Sequence, residues 1–297
     1  MVAAGMAAIV VGATLAACSS GGSGGAADGR ISLVASTDVW GDIAQQVGGD
    51  RVDVTSIITD PAADPHSYEA DTKVKLAISK ASVVVENGGG YDDFVDTLLD
   101  SVDTEPTVVN AVEVSGKSAA DGAELNEHVW YDFPTVAKVA SSIADALGKA
   151  DAANAATYTA NAAAFTAKLT PLEDAEAAVK AAHAGTGVAI TEPVPVYLLD
   201  ACGLVDETPA AFSEAVEEGT DVSASVLNQT LSLFSDRKVA LLVYNEQTSG
   251  PETERVLAAA KDAGVGVVPV TETLPEGEDY LAWMKDNVDA VQTALAA

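Results

Sequence analysis

One alanine-rich helical tract, from Pro134 to about His183, divides this 297-residue chain into two stretches in which short apolar runs alternate with helical patterns. Pro134 suits a first helical turn, and alanine has the highest helix propensity. The tract is interrupted near Lys149-Ala150-Asp151, carries a possible kink site at Pro171, and ends in the Gly185-Thr186-Gly187 break. It exceeds an ordinary globular helix, so its second half reads as a rigid connector between two lobes.

Before the tract, strands are expected at Ile31 to Ser36, Val52 to Thr59, Ser82 to Glu86 and Thr107 to Asn110. Helical spacing covers Val39 to Val47, Thr72 to Lys80 and Tyr91 to Leu99. After it, strands fall at Val188 to Thr191, Val239 to Tyr244 and Val265 to Val270. Helices fall at Val194 to Ala201, Ser223 to Ser235, Glu252 to Ala263 and Tyr280 to the C-terminus. A β-α-β-α rhythm implies parallel sheets with right-handed crossovers. The fold class is therefore α/β, with two helix-flanked parallel sheets joined by a long helix. The expected divisions are 30–150 for the N-terminal lobe, 151–184 for the connecting helix and 185–297 for the C-terminal lobe.

Met1 to Ala17 is almost wholly apolar or small and ends Leu15-Ala16-Ala17-Cys18. Small residues before a cysteine form the lipoprotein version of a secretory signal, with Cys18 as the lipidated residue. The run is too short for a comfortable membrane-spanning helix. No Lys or Arg precedes it, so the true translation start is expected upstream. Residues 19–29 are almost entirely Ser, Gly and Ala, a flexible tether. Together these features describe a globular protein moored outside the cell membrane. Cys202 then has no disulfide partner and reads as a small buried apolar residue.

Charge removes several classes of partner. Fifteen Lys and Arg stand against forty-five Asp and Glu, a net charge of −30. Such a surface repels nucleic acid and anionic lipid headgroups while concentrating cations. By itself this is also what solubility or salt adaptation would produce.

Ligands of open parallel sheets bind beyond the C-terminal ends of the strands. Four strand-end loops each offer a metal-competent side chain: His66, His128, Glu192 and Glu272. Successive separations of 62, 64 and 80 positions exclude a local clip, so these residues could meet only in a tertiary cleft between the lobes. Two imidazoles and two carboxylates suit Mn2+, Fe2+ or Zn2+. Monodentate carboxylates would give four donors, which zinc favours, and bidentate ones six, which manganese favours. Each residue also has an ordinary alternative, a hydrogen-bonding loop histidine or a solvated glutamate at a strand end. His183, ending the connecting helix, reads as a capping or solvent residue. Trp40 and Trp130 read as core or cleft wall. Asp38, Asp64 and Asp132 are candidates to hold the imidazoles in one tautomer.

Three segments carry a resemblance. Ser36-Thr37-Asp38-Val39-Trp40-Gly41-Asp42-Ile43-Ala44, followed by Asp64-Pro65-His66-Ser67-Tyr68-Glu69, resembles the zinc/manganese solute-binding family of ABC importers (cluster A-I, TroA-like or ZnuA-like). Asn87-Gly88-Gly89-Gly90-Tyr91-Asp92 resembles that family's Asn-Gly-x-Gly segment, and Asn126-Glu127-His128-Val129-Trp130 its second histidine motif. The resemblance runs from about Ile31 to the C-terminus. It implies a helical-backbone metal receptor with His66, His128, Glu192 and Glu272 as ligands and one divalent metal as cargo. It further implies an ABC permease with its ATPase as partners, and a monomer. Glu127 stands where the family has proline, and Glu272 where many relatives carry aspartate. The segment from Ala111 to Glu127 lacks the histidine-rich loop of many zinc-specific members, which tilts the expected cargo toward manganese.

Three other readings compete. An extracellular zinc metallohydrolase would need an open coordination position and a nearby general base. No His-Glu-x-x-His or Gly-x-Ser-x-Gly motif occurs, so no enzymatic activity is expected. A surface adhesin would not need four ligands at strand ends. An anionic cargo would call for arginine, and Arg30, Arg51, Arg237 and Arg255 all lie outside the four loops.

Overall fold

Two four-stranded, wholly parallel sheets stand on either side of a 29-residue helix. The computed structural model describes Met1, residues 29–60, His66, residues 68–119 and residues 125–296. Cys18 with its signal, nearly all of the tether, and Asp64 lie outside the described residues.

The first sheet contains β1 (Ile31–Thr37), β2 (Val52–Ile58), β3 (Val83–Glu86) and β4 (Thr107–Asn110) in the order β2-β1-β3-β4. Around it lie α1 (Asp38–Gly48), α2 (Thr72–Ile78), α3 (Phe94–Leu99) and α4 (Ala111–Ser115). β3 is buried along its whole length, which is why Val83-Val84-Val85 shows no polar alternation. Next come α5 (Phe133–Ala150) and α6 (Ala155–His183). Asp132 caps α5 by accepting from the Thr135 amide at 3.1 Å, with Pro134 in the first turn.

The second sheet contains β5 (Gly187–Ile190), β6 (Val205–Asp206), β7 (Leu241–Asn245) and β8 (Gly266–Val270) in the order β6-β5-β7-β8. Its helices are α7 (Val196–Ala201), α8 (Ala210–Glu217), α9 (Ala224–Ser235), α10 (Pro251–Asp262) and α11 (Tyr280–Ala296). The expected α/β class and two-sheet architecture are those observed. Sequence reading missed α4, β6 and α8, which are short. β6 has two exposed residues, and α8 buries only Phe212 and Ser213, so neither shows a legible period. α3 starts at Phe94, three residues later than expected, because Asp92 is used by the preceding loop.

Helix α6 spans about 43 Å at 1.5 Å per residue. Its buried residues are Tyr158, Ala162, Phe165, Leu169, Leu172, Glu176 and Val179, alternately four and three apart. That is a coiled-coil-like stripe facing α5, α1, α7 and α11. Pro171 lies on the exposed side and does not end the helix. One apolar core runs without interruption from β1 through α5 and α6 to β5, β7, β8 and α11. Hydrogen bonds bolt the halves together: Tyr280 Oη to the Trp130 carbonyl at 2.6 Å, and the Leu274 and Tyr280 amides to Asp38 and Asp42 at 3.2 and 3.0 Å. Cys202 is fully buried, and burial pushes its thiol up to about 12. Among the described residues no helix is long and apolar enough to cross a membrane.

Candidate metal centre

The C-terminal ends of both sheets open on one cleft of about 1180 Å3, whose described lining includes His66, Asn126, Glu127, Glu217 and Thr248 and contains no Lys or Arg. On the N-terminal side the wall is built around Asn87, which follows β3. Its Oδ1 accepts from Trp40 Nε1 at 3.2 Å, and its Nδ2 donates to the Glu127 carbonyl at 2.9 Å, so it fixes the segment leading into His128. The loop can turn there because Gly88 takes a φ of 75° and lies against Asn110, where an added Cβ would fall 2.2 Å from the amide. Asp92 closes the loop by accepting the Asn87 and Gly88 amides at 2.7 and 2.8 Å.

His128 is almost wholly buried, its side chain 1% exposed. Its ring lies edge-on to Trp130 at 5.1 Å and to Tyr91 at 6.0 Å. Asn126 Nδ2 donates to the Pro193 carbonyl of the other lobe at 2.9 Å, which orients the amide and leaves Oδ1 facing His128. Oδ1 then accepts from His128 Nδ1 at 2.8 Å and from its backbone amide at 3.0 Å. The proton therefore sits on Nδ1, and Nε2 presents its lone pair to the cleft. Nε2 makes no hydrogen bond among the described residues. Burial first, and then His66 nearby, holds this imidazole well below its ordinary pKa, so it is neutral as metal ligation requires. His66 is more open, with 26% of its side chain accessible. Its ring centre lies 6.2 Å from that of His128 and 5.0 Å from that of Tyr91.

The carboxylates come from the other lobe. Glu192 and Glu272 are buried just beyond the ends of β5 and β8. Asn245, the last residue of β7, donates from one amide nitrogen to both: to Glu272 Oε1 at 2.8 Å and to Glu192 Oε2. Thr248 Oγ1 also donates to Glu192 Oε2, and Gln247 Oε1 accepts from the Glu272 amide. Glu272 Oε2 stands 3.9 Å from His128 Nε2. Glu217, closing α8, is nearer still, with Oε1 3.7 Å from Nε2. One donor atom each from His66, His128 and Glu217 all lie within 4.8 Å of one another.

The structure thus brings His66, His128 and Glu272 to one cleft and holds Glu192 beside Glu272 through Asn245. Sequence reasoning missed Glu217, because α8 was not recognised and its last residue follows no strand. It also missed Asn126, Asn245, Gln247 and Thr248. Asn245 ends β7, so the same strand-end rule marks it. The partner of His128 Nδ1 is Asn126 and not an aspartate. Asp38 instead accepts from Leu274, and Asp132 caps α5 and pairs with Lys117 at 3.4 Å. Trp40 and Trp130 are both buried core, and Trp130 also backs the histidine. His183 is the half-buried final residue of α6, apart from the cleft residues.

The observed donors fit a divalent transition metal: a neutral imidazole with its Nε2 aimed inward, and carboxylate oxygens at a cleft whose described lining holds no Lys or Arg. The chain is 25% identical over 97% of its length to the manganese-binding lipoprotein MntA of Halalkalibacterium halodurans, covering 96% of that protein. It is 26% identical to the iron ABC transporter substrate-binding lipoprotein MtsA of Streptococcus pyogenes serotype M1, over 95% of this chain and 94% of that one. Its fold resembles the periplasmic zinc-binding protein TroA of Treponema pallidum with a TM-score of 0.76 at 17% identity, covering 91% of this chain and 100% of that one. Residues 33–294 match the family described as ZnuA, zinc-uptake complex component A, periplasmic, and with nearly the whole folded chain matched, this protein belongs to that family.

Proposed function

We propose that this chain is the extracytoplasmic solute-binding component of a metal ABC importer, capturing one divalent transition metal, Mn2+ or Zn2+, and delivering it to the membrane permease. His66, His128, Glu192 and Glu272 are the ligands. The observation that carries the reading is His128, a buried, neutral imidazole whose Nδ1 is locked by Asn126 and whose Nε2 faces carboxylates of the opposite lobe. An ion bound there would neutralise Glu192 and Glu272 and tie the lobes together. The shared core and the long α6 favour modest lobe movement over wide closure. Functionally the chain divides into the N-terminal lobe (30–150), the connecting helix (151–184) and the C-terminal lobe (185–297). A lipid on Cys18 would hold this monomer at the membrane face. The bound ion is cargo, so no catalysis is assigned.

The test is elemental analysis of the full chain purified without tags or chelators, followed by competitive titration with Mn2+ and Zn2+. About one metal per chain, lost in His128→Ala, is expected. An inability of the unaltered chain to bind either ion would overturn the reading.

A further inference from the structure

Glu217 is the acidic residue that neither the strand-end rule nor the family resemblance assigns. Its backbone is fixed by the end of α8: the Gly219 amide bonds to the Val216 carbonyl at 3.1 Å and the Thr220 amide to Ala215 at 2.8 Å, with Gly219 at a φ of 63°. These two bonds form a Schellman cap, which leaves the helix terminus little freedom. Phe212 and Ser213, both buried, anchor the other end of the helix. A carboxylate at a helix C-terminus meets the negative end of the helix dipole, so this position disfavours an anion unless a cation sits beside it. Glu217 aims at the one atom of His128 that faces the cleft, and its Oε1 is closer to Nε2 than Glu272 Oε2 is, 3.7 against 3.9 Å. Donors around one ion at about 2.1 Å lie at most about 4.2 Å apart. The 4.8 Å spread of His66, His128 and Glu217 therefore needs to contract by only about half an ångström to hold one.

We propose that Glu217 is a fifth protein donor to the captured metal, supplied by helix α8, and that it sets selectivity. Resting on the metal reading above, it adds a donor to His66, His128, Glu192 and Glu272. Five donors exceed what tetrahedral zinc takes and suit a larger, oxygen-preferring ion such as Mn2+. Removing Glu217 leaves a four-donor set that zinc still fills.

The experiment measures Mn2+ and Zn2+ affinities by chelator competition for the full chain, Glu217→Gln and Glu218→Gln, with X-ray absorption on the manganese-loaded forms. Melting curves without metal check that each variant folds. Expected for Glu217→Gln is a loss of Mn2+ affinity of about tenfold or more, a change under about threefold for Zn2+, and one fewer manganese donor. Glu218→Gln, which removes the same charge one residue away, should match the unaltered chain. Unchanged Mn2+ binding in Glu217→Gln would overturn the fifth donor while leaving the four-ligand site intact. Equal weakening in Glu218→Gln, or of both metals in Glu217→Gln, would reduce Glu217 to a field effect and overturn it too. If the unaltered chain bound neither metal, the metal reading itself would fall.

Discussion

The two walls of the cleft solve the same problem with different materials. On the N-terminal side, His128 is neutral, packed against aromatic rings and pinned by a single amide, Asn126. On the C-terminal side, Glu192 and Glu272 are buried and close: Asn245 Nδ2 donates to both, Thr248 Oγ1 donates to Glu192, and Gln247 Oε1 accepts from the Glu272 amide. An imidazole can wait for a cation at little cost once desolvation has removed its proton. Buried carboxylates cannot wait so cheaply, since each desolvated charge needs compensation. The difference teaches that the N-terminal wall is the pre-organised half and the C-terminal wall the half that a cation completes.

That comparison can be broken in several ways, the severest first. His128→Ala removes the donor both walls converge on, and its loss of affinity should exceed the roughly 100-fold reached by changes to supporting groups. Retained tight binding in a competition assay would sink the convergence. Next, Asn245→Ala frees two carboxylates at once and Asn126→Ala frees one imidazole. Both should weaken binding by roughly 10–100-fold, with Asn245 the worse, and the reverse order would place the less organised wall on the histidine side. Metal itself should stabilise the fold: at a free ion concentration about 100 times Kd, linkage contributes about 2.7 kcal/mol, or roughly 5–10 °C in Tm by calorimetry. No shift at that concentration would mean that the ion does not bind the folded chain in preference to the unfolded one.

The smallest effect concerns the helix joining the walls. Glu176 occupies an inward position of the α6 stripe, is buried, and has no hydrogen bond from Oε1 among the described residues. Burial first, then Glu173 and Asp132, pushes its carboxyl up to about 8 from an ordinary 4.5. The unfolded chain releases this proton near 4.5 and the folded chain holds it to about 8, so stability falls as pH rises through that window. Glu176→Gln should therefore raise Tm by roughly 2–6 °C at pH 8 and by much less at pH 5, read from melts of the metal-free chain. An equal gain at both pH values would show that charge is not the cause.

Much of this molecule was legible from patterns of period and position. Val83-Val84-Val85 announced a buried parallel strand, and the alanine-rich tract announced α5 and α6 with their break near Asp151. His66, His128, Glu192 and Glu272 stand out as candidates because parallel sheets present their strand ends to ligands, and the family resemblance implies them as ligands. The missed features share one character. Glu217 ends a helix that buries two residues, Asn126 acts through an amide that looks like any other, and Asn245 matters for the two carboxylates it happens to reach.

The order of the longer strands and helices was determined by the sequence alone, because their apolar burial is periodic along the chain, whereas short α4, β6 and α8 carry no such period. Which tautomer His128 holds, which carboxylate comes nearest its Nε2, and that Glu176 is left without solvent were decided only by the tertiary structure. Those outcomes depend on distances between residues far apart in the chain. Electrostatic and hydrogen-bond energies change steeply over an ångström, a scale that no sequence spacing encodes.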